Sequence, residues 1–142
     1  RLSRRGAEAI VAAIDQWQAG RIKPVTQPAE GATYAAKLSK AEARIDWAQP
    51  AVAIDRLVRA FNPWPVAETT WEGKQLRVWQ CEPEPLAAGA APGTVLESSG
   101  GRIVVATGEG ALRLLQLQLA GRRAMSAAEF LNANSLAGAR LG

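Results

Sequence analysis

Two short motifs are the only parts of this sequence whose residue types suggest catalysis. Glu82 and Glu84 form a close pair of carboxylates, which can divide acid and base roles when the surroundings separate their proton affinities. They flank prolines in a predicted loop, where we expect no pocket to separate them. The tripeptide Gly108–Gly110 resembles a phosphate loop, but no helix is predicted after it and no Gly-Lys-Ser/Thr occurs. The sequence therefore favours a carboxylate pair in a loop without a catalytic role, and a hairpin turn at the glycines.

The chain contains no histidine and a single cysteine, Cys81. Histidine is the side chain most often used for proton transfer near neutral pH, and it is a common metal ligand. One cysteine excludes an internal disulfide and a cysteine-rich metal site, and we expect it to pack within a strand. Catalysis by carboxylates alone stays open, but this composition favours a domain that is not itself catalytic.

Length and charge limit the number of domains and the kind of partner that the sequence allows. The 142 residues suit one domain with a short extension, and 48% of them are hydrophobic, enough for a core. Seventeen basic and 13 acidic residues give a net charge of +4, which is compatible with a polyanionic partner. No membrane-spanning run or signal peptide is predicted, and the unpaired cysteine fits the cytoplasm. Because the chain begins at Arg1 and its only methionine is Met125, we expect a piece of a longer protein.

Basic residues fall in the predicted connecting segments and on strands. On a small barrel they can line a groove that follows phosphates, although many surfaces carry them for solubility, and composition alone favours that second interpretation. Tryptophans could add surfaces on which bases stack, but we expect Trp47, Trp64, Trp71 and Trp79 to pack in the core, Trp64 as a plug. The candidate ligands of a polyanion are Lys37, Lys40, Arg44, Lys74, Arg122 and Arg123.

The first part of the chain is predicted to be a helix followed by a linker. Residues 3–19 have helical periodicity, with Ser3 as the N-cap and Gly20 as the stop. Residues 21–44 contain prolines and few large aliphatics, which predicts an extended linker. The helix needs a partner, so we expect it to fold back or to self-associate through its apolar stripe, which includes Ile10, Ile14 and Trp17.

Residues 45–142 are predicted to form the main domain. Pro50 begins a helix that buries Val52, Ile54, Leu57, Val58 and Phe61, and the run Asn62–Pro65 ends it. Alternating residues then predict strands at 66–71, 75–81, 93–97, 102–107 and 111–119, with a loop at 82–92.

Two details refine this pattern. Apolar parity changes at Leu114 and Leu115, which predicts a β-bulge in the last strand. Ser126 and Glu129 predict a capping box for a final helix, whose candidate apolar residues are Ala128, Phe130, Leu131 and Leu136. The predicted fold is mainly β: a small OB-like antiparallel Greek-key barrel with peripheral helices, preceded by the first helix and the linker.

Several runs, in order along nearly the whole chain, resemble the methionyl-tRNA formyltransferase family. Their Ile-Asp-Trp and Asn-Pro-Trp-Pro elements also occur in formyltransferases that act on sugars or folates. The runs are residues 32–47, 57–65, 92–96, 108–115 and 119–132.

The resemblance implies an enzyme that transfers a formyl group from 10-formyltetrahydrofolate to methionine on initiator tRNA. Its Asn, His and Asp catalytic residues lie in an N-terminal domain, so this chain is expected to bind no folate and to catalyse nothing. Residues 1–20 would be the last helix of the catalytic domain, 21–44 the linker, and 45–142 an OB-like tRNA-binding domain. The expected partners are initiator methionyl-tRNA and that catalytic domain. The alternative is a structural or interaction domain of a related sugar-nucleotide or folate formyltransferase.

Overall fold

The computed structural model describes residues 2–85 and 89–142 and divides into two units, Arg1–Ala36 and Lys37–Gly142. In the first unit, helix α1 spans Leu2–Gln18. Ser3 therefore lies inside the helix, and its prediction as the N-cap is wrong. Gly20 is confirmed as the stop: its φ is 69°, and it donates to the Trp17 carbonyl at 2.9 Å.

The apolar stripe of α1 is exposed. Ile10, Ile14 and Trp17 have exposed fractions of 57%, 43% and 62%, and no described residue of the helix is buried. What covers this stripe therefore stays a prediction. Residues 21–36 form no helix or strand, as expected of an extended segment.

The second unit begins before the predicted end of the linker. Ala41–Ala43 form a 3₁₀ turn, and Ala43 is buried. Ile45 donates its N–H to the Glu68 carbonyl at 2.8 Å, which joins this segment to the sheet. Helix α2 follows at Ala51–Ala60, with Pro50 as its N-cap.

The buried side of α2 is close to the prediction. Ile54, Val58 and Phe61 are buried, whereas Val52 is half exposed, so its predicted burial is wrong. The next turn also differs from expectation: Trp64 is 54% exposed, and its neighbour Pro65 is the buried residue. Trp64 is therefore not a plug over the core.

Six strands form one antiparallel sheet in the order β1-β2-β5-β4-β3, with β6 paired to β5. The strands β3, β4 and β5 are consecutive, and β2 lies beside β5 after a long connection, which is a Greek-key arrangement. The predicted antiparallel Greek-key fold with peripheral helices is thereby confirmed. The strand bounds are β1 Ala67–Trp71, β2 Lys74–Glu84, β3 Val95–Ser99, β4 Arg102–Ala106, β5 Ala111–Leu119 and β6 Met125–Ser126.

The predicted bulge in β5 is confirmed. Gln80 of β2 is opposite Gln116, but Cys81 is opposite Leu114, so Leu115 has no residue opposite it. A single extra residue moves every following side chain to the other face of a strand. This explains how the even-numbered Leu112 and Leu114 and the odd-numbered Leu117 can all be fully buried.

The C-terminal residues connect the two edges of the sheet. Leu141 donates its N–H to the carbonyl of Gly93, just before β3, at 2.8 Å. Gly142 donates to the carbonyl of Thr70 in β1 at 3.1 Å. This segment therefore occupies the gap between β3 and β1, so neither edge strand is left fully unpaired there.

The prediction of a loop from residue 82 is wrong at its start, because β2 continues to Glu84. Pro83 is opposite Leu112 of β5, beyond the last β2 residue that pairs with β1, which is Val78. A proline fits a strand where one side has no partner to receive its missing N–H. Residues 86–88 of the predicted loop lie outside the described residues.

The turn between β4 and β5 contains the glycine-rich tripeptide and is confirmed as a hairpin turn. A Cβ on Gly108 would lie 1.8 Å from the Ala48 carbonyl oxygen, so the backbone approach requires glycine there. The N–H of Gly108 donates to the Trp47 carbonyl at 2.9 Å, and the Glu109 carbonyl accepts from Ala51 at the start of α2. The tripeptide therefore fastens α2 to the sheet.

The last helix, α3, spans Ala127–Leu131, and its capping box between Ser126 and Glu129 is confirmed. Phe130 is completely buried and packs edge-on against Trp71, with ring centroids 5.8 Å apart. Ala128 is exposed, contrary to prediction, and the buried Leu136 lies beyond the end of the helix.

Candidate nucleic-acid interface

Lys74 and Arg122 are the two candidate cations that the fold places around one concavity. Lys74 begins β2, and Arg122 follows β5; these strands pair, with Leu76 opposite Leu119. The N–H of Ala120 donates to the Gln75 carbonyl at 3.2 Å and extends this pairing to the end of both strands. The concavity, here called the hairpin groove, has a volume of about 510 Å³ and is lined by Lys74, Leu119, Ala120, Arg122, Met125, Ala133 and Asn134.

The charge of the hairpin groove is of one sign. Among the described residues that line it there are two cations and no carboxylate. Asn134 adds an amide, and Leu119 and Met125 add an apolar floor. Such a combination of ammonium, guanidinium and amide donors can bind phosphate oxygens, and the apolar floor can contact sugar carbons.

Arg123 is engaged differently from its neighbour Arg122. Its Nη2 lies 2.7 Å from Oε1 of Glu129, and its Nη1 donates to the Ala124 carbonyl at 3.4 Å. The hydrogen bond from Arg123, together with those from Ser126, lowers the pKa of Glu129 to about 2. The structure therefore places Arg123 in an ion pair at the start of α3 and not among the groove-lining residues.

The three cations from the end of the linker are not brought to the hairpin groove. Arg44 lies beside Glu68 of β1 and lines two other concavities, one with Trp47 and Arg140 and one with Leu57. Lys37 and Lys40 are exposed, and Lys40 precedes the 3₁₀ turn. Of the six predicted ligands, the structure thus brings two together.

Arginines near the opposite end of β2 are occupied by carboxylates. Glu84 pairs with Arg102 at 3.0 Å and with Arg113 at 3.2 Å, and Arg113 also pairs with Glu82. A hydrogen bond to Glu97 and the charge of Glu84 raise the pKa of Arg102. The carboxylate pair therefore lies on a strand beside two arginines, contrary to its prediction in a loop without a basic pocket.

The two ends of β2 therefore differ in charge. Its eleven residues place Lys74 and Glu84 at opposite ends, which are about 33 Å apart at the usual rise per residue. The first end presents two cations with no carboxylate among the described groove-lining residues, and the second end presents arginines that are paired with carboxylates.

The tryptophans have separate roles. Trp47 and Trp71 are buried, as predicted, and Trp47 donates its indole N–H to the Thr69 hydroxyl at 3.0 Å.

Trp79 is only half-buried and donates its indole N–H to Oε1 of Gln118 at 2.9 Å. The same amide donates from Nε2 to the Arg122 carbonyl at 2.7 Å. Gln118 therefore links an aromatic side chain on β2 to the loop that carries Arg122.

Sequence reasoning did not select Gln118 or Asn134. Both were ordinary polar residues, and only the pairing of β2 with β5 and the position of α3 bring them to the groove region. In the sequence, Gln118 alternates with Leu117 and Leu119, a pattern that assigns no contact to its side chain.

Cys81 is buried in β2, which confirms its predicted role in strand packing. Burial, followed by the charge of Asp55, raises the pKa of its thiol to about 12. Within residues 2–85 and 89–142, no cluster of three His, Cys, Asp or Glu side chains is placed to hold a metal ion. No helix in those ranges has the length and apolarity needed to cross a membrane.

A match to a known domain family identifies the class of protein. Residues 37–135 match the family described as formyl transferase, C-terminal domain. The chain belongs to this family.

A particular relative supports the predicted resemblance. The chain is 46% identical, over all 142 of its residues, to the methionyl-tRNA formyltransferase of Methylococcus capsulatus. It spans 46% of the length of that relative. The resemblance to methionyl-tRNA formyltransferases is thereby confirmed.

Solved structures support the fold. Crystal structures of HypX from Aquifex aeolicus superpose with TM-scores of 0.64 for one variant and 0.60 for the tetrahydrofolic acid complex, each at 24% identity. The superposition with the variant covers 94% of this chain and 24% of the HypX chain. For the tetrahydrofolic acid complex, the shares are 87% and 22%. At this identity the similarity concerns the fold alone.

Proposed function

We propose that this chain is the C-terminal part of a methionyl-tRNA formyltransferase and that its second unit holds the tRNA by the sugar–phosphate backbone. The observation that carries the proposal is the hairpin groove, where Lys74 and Arg122 lie together without a carboxylate among the lining residues. The name of the relative with 46% identity supports tRNA as the polyanion. The net charge of +4 also favours a polyanionic partner.

The groove is suited to backbone contacts more than to reading bases. Lysine and arginine bind phosphates regardless of sequence, and such contacts position a nucleic acid. Arg122 can offer a planar fork to two phosphate oxygens, and Lys74 a flexible point charge. We therefore assign the second unit a supporting role, in which it orients a folded RNA and leaves recognition of the methionine end to another part of the enzyme.

The remaining parts of the proposal follow from the resemblance. A separate N-terminal domain would bind 10-formyltetrahydrofolate and formylate methionine on initiator tRNA in the cytoplasm. Residues 1–20 would belong to that domain, with the exposed stripe of Ile10, Ile14 and Trp17 packed against it. Residues 21–44 would be the linker and 45–142 the OB-like tRNA-binding domain, with Lys37, Lys40 and Arg44 as additional contacts on the linker side.

A salt titration tests the proposal. The chain is titrated with initiator tRNA at several concentrations of KCl between 50 and 200 mM, and the association constant is measured by fluorescence anisotropy. Each neutralised phosphate contributes about −0.7 to −0.9 to the slope of log K against log salt concentration. Two groove cations therefore predict a slope of about −1.4 or steeper. Affinity that does not change with salt, or no binding at 50 mM, would contradict the proposal.

A further inference from the structure

The loop that carries Arg122 is held by its backbone. The N–H of Arg122 donates to the Leu119 carbonyl at 3.0 Å, which closes a turn, and Gly121 has the positive φ of 72° that this turn requires. The carbonyl of Arg122 accepts from Nε2 of Gln118 at 2.7 Å. Both backbone polar groups of Arg122 are therefore used, while its side chain lines the hairpin groove.

Gln118 is itself fixed by a second contact. Its Oε1 accepts the indole N–H of Trp79 at 2.9 Å. A primary amide needs a donor on one side and an acceptor on the other to be held in one orientation, and Trp79 and the Arg122 carbonyl supply them. The direction of the amide, and thus the position of the loop, is set by a half-buried tryptophan on the neighbouring strand.

The far side of the loop is held by Arg123. Its ion pair with Glu129 at 2.7 Å joins the loop to α3. Glu129 also accepts from the backbone N–H of Ser126 at 2.9 Å and from its hydroxyl at 3.0 Å. Arg123 is thus tied to the same carboxylate that caps the helix.

We propose that Gln118 and Arg123 are positioning residues, which hold the loop so that Arg122 alone of the two arginines binds RNA phosphate in the hairpin groove. The inference rests on the proposed function and deepens it. It divides the Arg122-Arg123 pair, which the sequence treats as one basic unit, into a phosphate ligand and an anchor. Positioning of this kind raises the affinity for RNA, because the Arg122 side chain and its loop lose less conformational entropy when RNA binds.

A double-mutant cycle tests the role of Gln118. Gln118→Met keeps the length of the side chain and removes both hydrogen bonds, and Arg122→Ala removes the phosphate ligand. The affinities of the wild type, both single variants and the double variant for initiator tRNA are measured at 100 mM KCl, with thermal unfolding to confirm folding. We expect Gln118→Met to weaken binding about 3- to 10-fold, and to cause no further loss when Arg122 is already alanine.

The outcomes separate the positioning role from the proposed function. If Arg122→Ala binds like the wild type, the groove is not the tRNA site and the proposed function fails there. If Arg122→Ala weakens binding but Gln118→Met has no effect, or its loss multiplies with that of Arg122→Ala, the positioning role of Gln118 is refuted while the groove stands. The indole N–H resonance of Trp79 should shift in Gln118→Met without RNA, which reports loss of the contact itself.

The substitution Glu129→Gln tests the role of Arg123, because the two possible roles predict opposite changes in tRNA affinity. Glutamine at this position retains the capping box but loses the ion pair with Arg123. If Arg123 anchors the loop, tRNA affinity falls severalfold even though a negative charge is removed. If Arg123 is a phosphate ligand that Glu129 restrains, affinity rises, and that increase would overturn the division of roles.

Discussion

The double substitution Lys74→Ala/Arg122→Ala removes both cations of the hairpin groove. Each contributes one phosphate contact in the proposed complex, and each contact contributes about 0.7 to 0.9 to the salt slope. The slope of the variant should therefore be shallower by about 1.4 to 1.8. If the two proteins bind equally at 1 M salt, where phosphate contacts contribute little, the variant binds about 25- to 60-fold more weakly at 0.1 M, or about 2 to 2.5 kcal/mol.

The assay is fluorescence anisotropy with labelled initiator tRNA at four salt concentrations. The matched control is Arg56→Ala/Arg59→Ala on α2, which lowers the net charge of +4 by the same two units away from the groove. Among the described residues, Arg59 pairs with Asp55 one turn earlier, with side-chain exposures of 67% and 15%, so thermal unfolding of this control is measured alongside its affinity. If both double variants lose affinity equally, general charge and not the groove governs binding, and the reasoning is refuted.

Four further experiments test the fold and the charges of individual side chains. Gly108→Ala should destabilise the second unit by more than about 2 kcal/mol, because the added carbon meets a backbone carbonyl at 1.8 Å; Gly6→Ala on α1 meets no atom within 4 Å and serves as the control. Phe130→Ala should cost about 3 to 5 kcal/mol in urea unfolding, since the ring is fully buried. Because the pKa of Glu129 is lowered to about 2, its contribution to stability should be complete above its unfolded pKa of about 4.5. That contribution should fade as the pH decreases toward 2, which melting curves of the wild type and Glu129→Gln would show. Cys81, with a pKa raised to about 12, should react with a thiol reagent at pH 8 far more slowly in the folded chain than in urea.

Each of these expectations has a result that would contradict it. An unchanged melting temperature in Gly108→Ala would show that the turn can move away from the carbonyl. A loss below about 1 kcal/mol for Phe130→Ala would mean that the core around Trp71 closes the cavity. Parallel melting curves of the wild type and Glu129→Gln between pH 6 and 2 would exclude the ion pair, and rapid labelling of folded Cys81 would exclude its burial.

The sequence predicts those parts of the fold that depend on local periodicity. The bulge at Leu115 follows from the change of apolar parity along a single strand, and the capping box of α3 follows from Ser126 and Glu129 at the required spacing. Such features involve neighbours in the chain. The residue pattern therefore carries enough information to locate them before any strand order is known.

Features that depend on pairing between distant residues escape this reasoning. Pro83 suggests a loop, and only the absence of β1 beside that part of β2 makes a proline acceptable in the strand. The last two residues, Leu141 and Gly142, carry no periodic pattern, yet they connect Gly93 and Thr70 across the edge of the sheet. Trp64 is exposed because the turn directs Pro65 inward, a choice that composition does not reveal.

The candidate site is predicted only in part for the same reason. Lysine and arginine in connecting segments identify possible phosphate ligands, but the pairing of β2 with β5 decides that Lys74 meets Arg122. Arg102 and Arg113 are equally basic in the sequence, and carboxylates on neighbouring strands neutralise them. The distinction between a free cation and a paired one requires three-dimensional neighbours.

The most direct test of the groove is a map of where the RNA lies. Amide chemical shifts of the ¹⁵N-labelled chain are recorded while initiator tRNA, or its isolated acceptor and anticodon arms, is added at 50 mM KCl. We predict that the largest changes fall at residues 73–75, 119–123 and 133–134, which surround Lys74 and Arg122. Changes concentrated instead at 82–84 and 97–102, where arginines are already paired with carboxylates, would contradict the assignment of this surface to tRNA.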